Sequence, residues 1–318
     1  MRAFSSAIRL SFRLLPNTNG IRIPIRIRWQ VLLIVIGLAH GIGTLYDAIS
    51  SQPCMFAADT AHELVWSHTY SVYLRLLPHP YFREQLWLWP AFIGWNLSTS
   101  VGFIFIGWLH LVLPASSPRD DPLFHCALLA LACIIISACS LISLLYFFYI
   151  PALMLSLITL GALSELRSLS TQRALTSPPL QPKERMTGSA LFTLGGLPIL
   201  FYGLFHLFIA TVHPVLLAPV NQLLFRQLAE ATLALPGFFG STTTAWEAYV
   251  GFNITHGLSI IAISLMTIFV GNSRTLLRYP KVVLCLRCTA ASLGMISIFC
   301  WFWLPTIATS VFLGWQLV

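Results

Sequence analysis

Seven polar side chains stand inside or at the edges of long apolar runs: His40, Asp47, Asn96, His206, Glu247, Asn253 and His256. In an apolar setting an imidazole or carboxylate can carry a proton, and an amide can hold a ligand or a neighbouring helix. These residues are therefore the candidates for a ligand contact or a proton path. His40 and Asp47 are seven residues apart, which places them on one helix face with Asp47 near the outer boundary. That spacing suits a proton relay or ligand pair. It equally suits an interfacial Asp47 and a His40 that bonds to a neighbouring helix. Asn96 and Asn253 stand roughly 10 Å into their runs at 1.5 Å per residue. Each follows a glycine, Gly94 or Gly251, two residues earlier. An amide beside a notch of this kind is what joins closely approaching helices, with a ligand contact as the sharper alternative.

Established reaction motifs are missing. The chain has no phosphate-binding glycine loop, no His-Glu-x-x-His, no Gly-x-Ser-x-Gly and no carboxylate pair at helical spacing within an apolar run. His40 and His206 would serve as axial haem ligands only if they faced each other across a cavity, and nothing in the sequence arranges that. Six of the seven cysteines (Cys126, Cys133, Cys139, Cys285, Cys288 and Cys300) lie in apolar runs, where cysteine is a small packing residue. Cys54 alone falls in an outer loop, so no disulfide framework is expected. Cys285-x-x-Cys288 lacks the second cysteine pair of a zinc site. Neither metal nor cofactor is expected, and the chain reads more as a non-enzyme than as an enzyme. Asn96-Leu97-Ser98 and Asn253-Ile254-Thr255 match the glycosylation pattern, but both lie in expected spans.

The elements that carry these residues are written twice. Trp89, Gly94, Asn96 and Ser98 recur as Trp246, Gly251, Asn253 and Thr255, each set opening an apolar run. Gly37-Leu38-x-His40 returns as Gly203-Leu204-x-His206, and Phe147 to Pro151 returns as Trp301 to Pro305. The same order over the whole length predicts a tandem duplication. The copies differ in charge: Thr99 holds the place of His256, and Pro90 that of Glu247. A function inside the membrane is therefore to be sought in the second copy.

Charged residues make up 9% of the chain and apolar ones 57%, which excludes an ordinary soluble domain and predicts an integral membrane protein. The net charge of +8 does not point to nucleic acid, because the basic residues gather in hydrophilic ends and loops. Spans are expected at 29–49, 88–113, 123–142, 148–165, 189–211, 246–270, 281–299 and 302–318. A tight reversal is expected near Leu144 to Phe148, with Pro151 in the first turn of the next helix. With the N-terminus inside, fifteen of the eighteen Lys and Arg residues fall on the cytoplasmic side, and only Arg75, Arg83 and Arg226 lie outside. Four spans per copy make the copies parallel repeats. The outer loops, 50–87 and 212–245, each read as holding a short interfacial helix, the second around Val220 to Ala234. Residues 1–28, with six arginines and no acid, form a basic tail lying on an anionic membrane surface. The same composition fits a mitochondrial presequence.

The phrase Trp246-Glu-Ala-Tyr-Val-Gly251-Phe-Asn253-Ile-Thr-His256-Gly257, with the preceding Gly-Leu-x-His helix and the later aromatic x-Pro turn, resembles a group of small uncharacterised bacterial membrane proteins with four spans. Each of those is similar to one copy of the phrase-bearing unit here, the second more than the first, because Thr99 and Ser100 replace His-Gly. The resemblance implies architecture and no activity. The expectation is an all-α, polytopic protein of about eight transmembrane helices in two parallel four-helix repeats. A basic tail (1–28), first repeat (29–166), linker (167–188) and second repeat (189–318) divide the chain, in a plasma membrane with both termini cytoplasmic or in a mitochondrial membrane. Its partners are the lipid bilayer and a lipid or small apolar ligand held between the repeats. A proton-coupled small-molecule transporter is the second reading, and a membrane-embedded enzyme or haem protein the third.

Overall fold

An apolar run that enters hydrocarbon must satisfy every backbone N–H and C=O within itself, and the helix does so locally. The computed structural model describes residues 28–49, 88–113, 122–147, 149–176, 187–217, 222–230, 232–234, 242–277 and 279–299. Most of the basic tail, the loop with Cys54, linker residues 177–186 and the expected span 302–318 lie outside them, whereas residues 167–176, expected as linker, are helical. The helices are α1 (Trp29–Ile49), α2 (Leu88–Val112), α3 (Pro122–Tyr146), α4 (Tyr149–Thr176), α5 (Thr187–Val212), α6 (Gln222–Glu230), α7 (Ala245–Gly271), α8 (Arg274–Leu277) and α9 (Pro280–Phe299). A two-stranded antiparallel ribbon, β1 (Thr232–Ala234) and β2 (Thr242–Thr244), precedes α7 and pairs Thr232 with Thr244.

Among the described residues six helices, α1 to α5 and α7, are long and apolar enough to cross a membrane. The chain is all-α in character and built as a multi-pass membrane protein. The seventh expected span is present as α9 but is not one of the six, and it carries Lys281 and Arg287. The reversal after α3 falls at Phe147, and Pro151 sits in the first turn of α4, where a missing N–H costs least. Of the helix expected around Val220 to Ala234, α6 is present but ends at Glu230, with Thr232–Ala234 in β1 instead; Phe225 meets Trp246 edge-on at 4.8 Å.

α2 and α7 are the central pair. Of their spans 72% and 78% is buried, against 28% for α1 and 33% for α4 and α5. α1 lies along α2 and α5 along α7; α3 hairpins with α4 and also packs on α7, while α9 packs on α2. The crossings repeat. A Cβ on Gly37 would meet Ile104 Cγ1 at 2.8 Å, and one on Gly203 would meet Ile261 Cγ1 at 3.0 Å, so only glycine lets α1 and α5 lie this close to their partners. α2 and α7 run parallel: Phe92 stacks on Tyr249 at 6.4 Å, and ten residues further on Gly102 abuts Ser259.

Polar residues inside the spans are tolerated because they bond back to their own helices. Ser98 donates to the Gly94 carbonyl (2.7 Å), Thr99 to Trp95 (3.0 Å), Thr255 to Gly251 (3.1 Å) and Ser264 to Ile260 (2.8 Å). One end of the bundle, here called basal, gathers the start of α1, the end of α2 and the stretch of α4 around Glu165. The apical end gathers the end of α3 and the start of α7, where Thr243 Oγ1 donates to the Tyr146 carbonyl at 2.8 Å. Between the two ends, α2 and α7 carry Ile106, Leu109, Ile263 and Met266, all fully buried.

Candidate functional site

The apical half of the α2–α7 seam is built of rings. Phe92 meets Phe252 edge-on at 5.3 Å, and Trp95 meets Tyr249 edge-on at 5.7 Å. When Asn96 is matched to Asn253, these two contacts correspond, because Phe92 then matches Tyr249 and Trp95 matches Phe252. The histidines flank the seam in the same crossed manner. His40 of α1 packs on Phe252 of α7 at 5.9 Å, and His206 of α5 packs on Trp95 of α2 at 5.4 Å.

Three of the sequence candidates meet on the α5–α7 side. The Asn253 amide donates through Nδ2 to the Tyr249 carbonyl (2.8 Å), which turns Oδ1 toward His206. His206 Nε2 donates to that oxygen at 3.0 Å. The His256 ring stands 4.8 Å from the His206 ring, nearly perpendicular at 84°. Its Nε2 pairs with the Tyr202 hydroxyl at 3.2 Å, and its Nδ1 is buried with no hydrogen-bond partner among the described residues. Asn253 is fully enclosed, and His256 and His206 keep 3% and 6% of their surface, so the pair is cut off from bulk water. A neutral imidazole offers one donor and one acceptor nitrogen. Two imidazoles in ring contact, one with an uncommitted nitrogen, can accept a proton or bind a small hydrogen-bonding group.

The matching place in the first half is filled differently. His40 Nδ1 donates to Ser100 Oγ (2.8 Å), whose own proton goes to the Asn96 carbonyl (3.1 Å). Asn96 donates to the Phe92 carbonyl of its own helix at 2.8 Å, so it does not join two helices as the Gly-x-Asn pattern led one to expect. Asn253 does join two, through His206. Thr99, in the place of His256, is spent on its own helix. With Asn96 aligned on Asn253, the α1–α2 side holds a lone imidazole where the α5–α7 side holds a facing pair.

The remaining candidates stand apart. Glu247 is exposed and closes a capping box, accepting from the Thr244 backbone N–H (3.0 Å) while its own N–H donates to Thr244 Oγ1 (3.1 Å). That role accounts for its place at the start of α7. Asp47 lies in the last turn of α1, with its side chain outside the described part of the structure. For haem ligation through Nε2, His206 would have to surrender its bond to Asn253. Among the described residues no group of three or more His, Cys, Asp or Glu could hold a metal ion.

Tyr202 and Trp95 belong to the site but were not singled out by sequence. Tyr202 precedes His206 by four residues, one helical turn on the same face, and that spacing was the available signal. Trp95 gave none, since an aromatic residue in an apolar run is ordinarily core. No family model, curated protein or solved structure matches this chain.

Proposed function

We propose that this is a multi-pass membrane protein of two parallel four-span units that couples proton movement to transport of a small molecule, with His206 and His256 as its protonatable pair. The observation that carries the reading is the enclosed imidazole pair, 4.8 Å apart, with His256 Nδ1 uncommitted. Buried ionisable groups in spans are costly and mark ion pathways. The paired crossings Gly37–Ile104 and Gly203–Ile261, together with the matched contacts across the α2–α7 seam, support the two-unit architecture. The excess of Lys and Arg supports a cytoplasmic basal end.

Proton flux into proteoliposomes holding the full chain, followed with an enclosed pH dye, tests this reading. Flux that vanishes in His206→Ala and His256→Ala supports it. The absence of flux in the wild type across a library of small substrates, with the protein shown to be folded, removes it. Orientation has its own test: Cys54 is expected to react with an impermeant thiol reagent from outside, and protection there, despite reactivity in detergent, would reverse the assignment.

A second reading has one observation in its favour. Tyr202 is half-buried between Phe201 and Phe205, which are 71% and 45% exposed on the outer face of α5. A lipid or small apolar ligand arriving from the bilayer would meet the Tyr202–His256 pair there first.

A further inference from the structure

A second polar assembly lies at the basal end, far along the bundle from the histidine pair. Trp29 opens α1, and its indole Nε1 donates to Glu165 Oε2 of α4 at 2.7 Å. Gln30 Nε2 donates to the same oxygen at 3.0 Å. The Trp29 ring also packs on His110 of α2, with centroids 5.4 Å apart. His110 and His125 are both buried; His110 stands against the Leu128 backbone, and among the described residues Nδ1 of His125 has no hydrogen-bond partner. Glu165 lies within electrostatic reach of His125 and Cys133, and His125 within reach of His110. Four helices, α1 to α4, thus converge on one spot. The neighbouring charges along the chain, Arg28 and Arg167, are exposed.

Helix packing alone does not require this assembly. Where Trp29 and Gln30 stand on α1, the matching positions of α5 are Gly195 and Gly196, and His110 is matched by Thr267 on α7. α5 still lies along α7 as α1 does along α2. Each unpaired buried polar group costs about 1–3 kcal/mol, and such groups in a folded protein are usually met by ordered water. Glu165 stands sixteen residues into α4, about 24 Å along it at 1.5 Å per residue. That places the carboxylate near one face of a hydrocarbon layer about 30 Å thick, within reach of bulk water.

We propose that Glu165, His125 and His110 form a proton-binding site at the basal face, holding a proton and the water that carries it. The proton arrives from bulk water onto the Glu165 carboxylate, whose Oε1 takes no hydrogen bond from the described residues. Transfer through intervening water breaks the carboxyl O–H bond and forms an N–H bond at His125, with His110 next in line. The two donors on Oε2 hold the carboxylate against α1. The site rests on its own geometry, and only its assignment as the inner mouth of the apical pair's path depends on the proton-coupled reading.

The test is an infrared pH titration of the full chain in liposomes, following the carboxylic-acid C=O stretch. A band that grows as pH falls is expected in the wild type, lost in Glu165→Gln, and displaced in frequency and midpoint in His125→Gln and His110→Gln. A band that survives Glu165→Gln overturns the proposal. So does a Glu165 band indifferent to both histidine variants, which would make Glu165 a lone interfacial anchor. Glu165→Gln keeps an oxygen for Trp29 and Gln30. Should it nonetheless fail to fold, the histidine variants, which leave those bonds intact, decide the matter. His206→Ala and His256→Ala are expected to leave the band unchanged, so a failed flux experiment and a failed infrared experiment refute different claims.

Discussion

Gly102 and Ser259 face each other where α2 and α7 cross, and a Cβ on Gly102 would fall 2.6 Å from Ser259 Cβ. The two positions coincide when Asn96 is aligned with Asn253, and on the α2 side the side chain is reduced to hydrogen. Gly102→Ala is expected to destabilise the protein by about 1–3 kcal/mol through overpacking. Ser259→Ala leaves the offending carbon in place and does not relieve the clash, whereas Ser259→Gly does. Unfolding of the three double and single variants in detergent checks the order. Equal stability of Gly102→Ala and wild type would mean that the helices are further apart than described.

The two histidine contacts differ in partner, and double-mutant cycles should register the difference. His206 with Asn253 is expected to couple by about 0.6 kcal/mol, with an upper bound of about 1.7, as interhelical hydrogen bonds in membranes do. His40 with Ser100 should couple similarly. His40 with Asn96 should not, because the Asn96 amide is turned to the Phe92 carbonyl. Coupling of His40 to Asn96 as strong as that of His206 to Asn253 would show that the two halves use the amide alike.

What the sequence made legible was period and length. Apolar runs of about twenty residues set the ends of α1 and α2 to within a residue of where they lie, and Pro151 marked the start of α4. His206, Asn253 and His256 could be named because polar residues in such runs are rare. Whether each amide would reach across to another helix could not be read, since that turns on side-chain rotation: Asn96 and Asn253 share a neighbourhood but only Asn253 finds an imidazole. The basal assembly was invisible for a different reason. Trp29, His110 and His125 sit near the ends of three helices, where a polar residue ordinarily means an interface, Glu165 lies within a fourth, and only the fold brings them together.

Glu247 separates a cap from a proton carrier. Its carboxylate accepts from the Thr244 N–H, and a glutamine can do the same. Glu247→Gln is therefore expected to leave both stability and proton flux unchanged, and Glu247→Ala to cost about 1 kcal/mol of stability with flux preserved in the folded fraction. Thermal unfolding and flux measured on the same preparations check this. Loss of flux in Glu247→Gln at unchanged stability would return Glu247 to the transport machinery.

His256 offers the sharpest contrast between packing and function. Its Nδ1 is buried without a partner, and an unpaired polar group costs about 1–3 kcal/mol that an apolar group of similar shape does not. His256→Phe should therefore be neutral or stabilising, most clearly when Tyr202→Phe removes the hydroxyl that would lose its partner. The surrounding rings of Trp95, Tyr202 and His206, all within 6.4 Å, accept another aromatic ring without a change of shape. If the imidazole is there to hold a proton, the same double variant loses all proton flux while its melting temperature stays level or rises. A residue kept at a cost to stability is one kept for activity. A fall in melting temperature on replacing His256 by Phe in the Tyr202→Phe background would reverse the inference, since it would make the imidazole a packing element whose contacts the phenyl ring cannot supply.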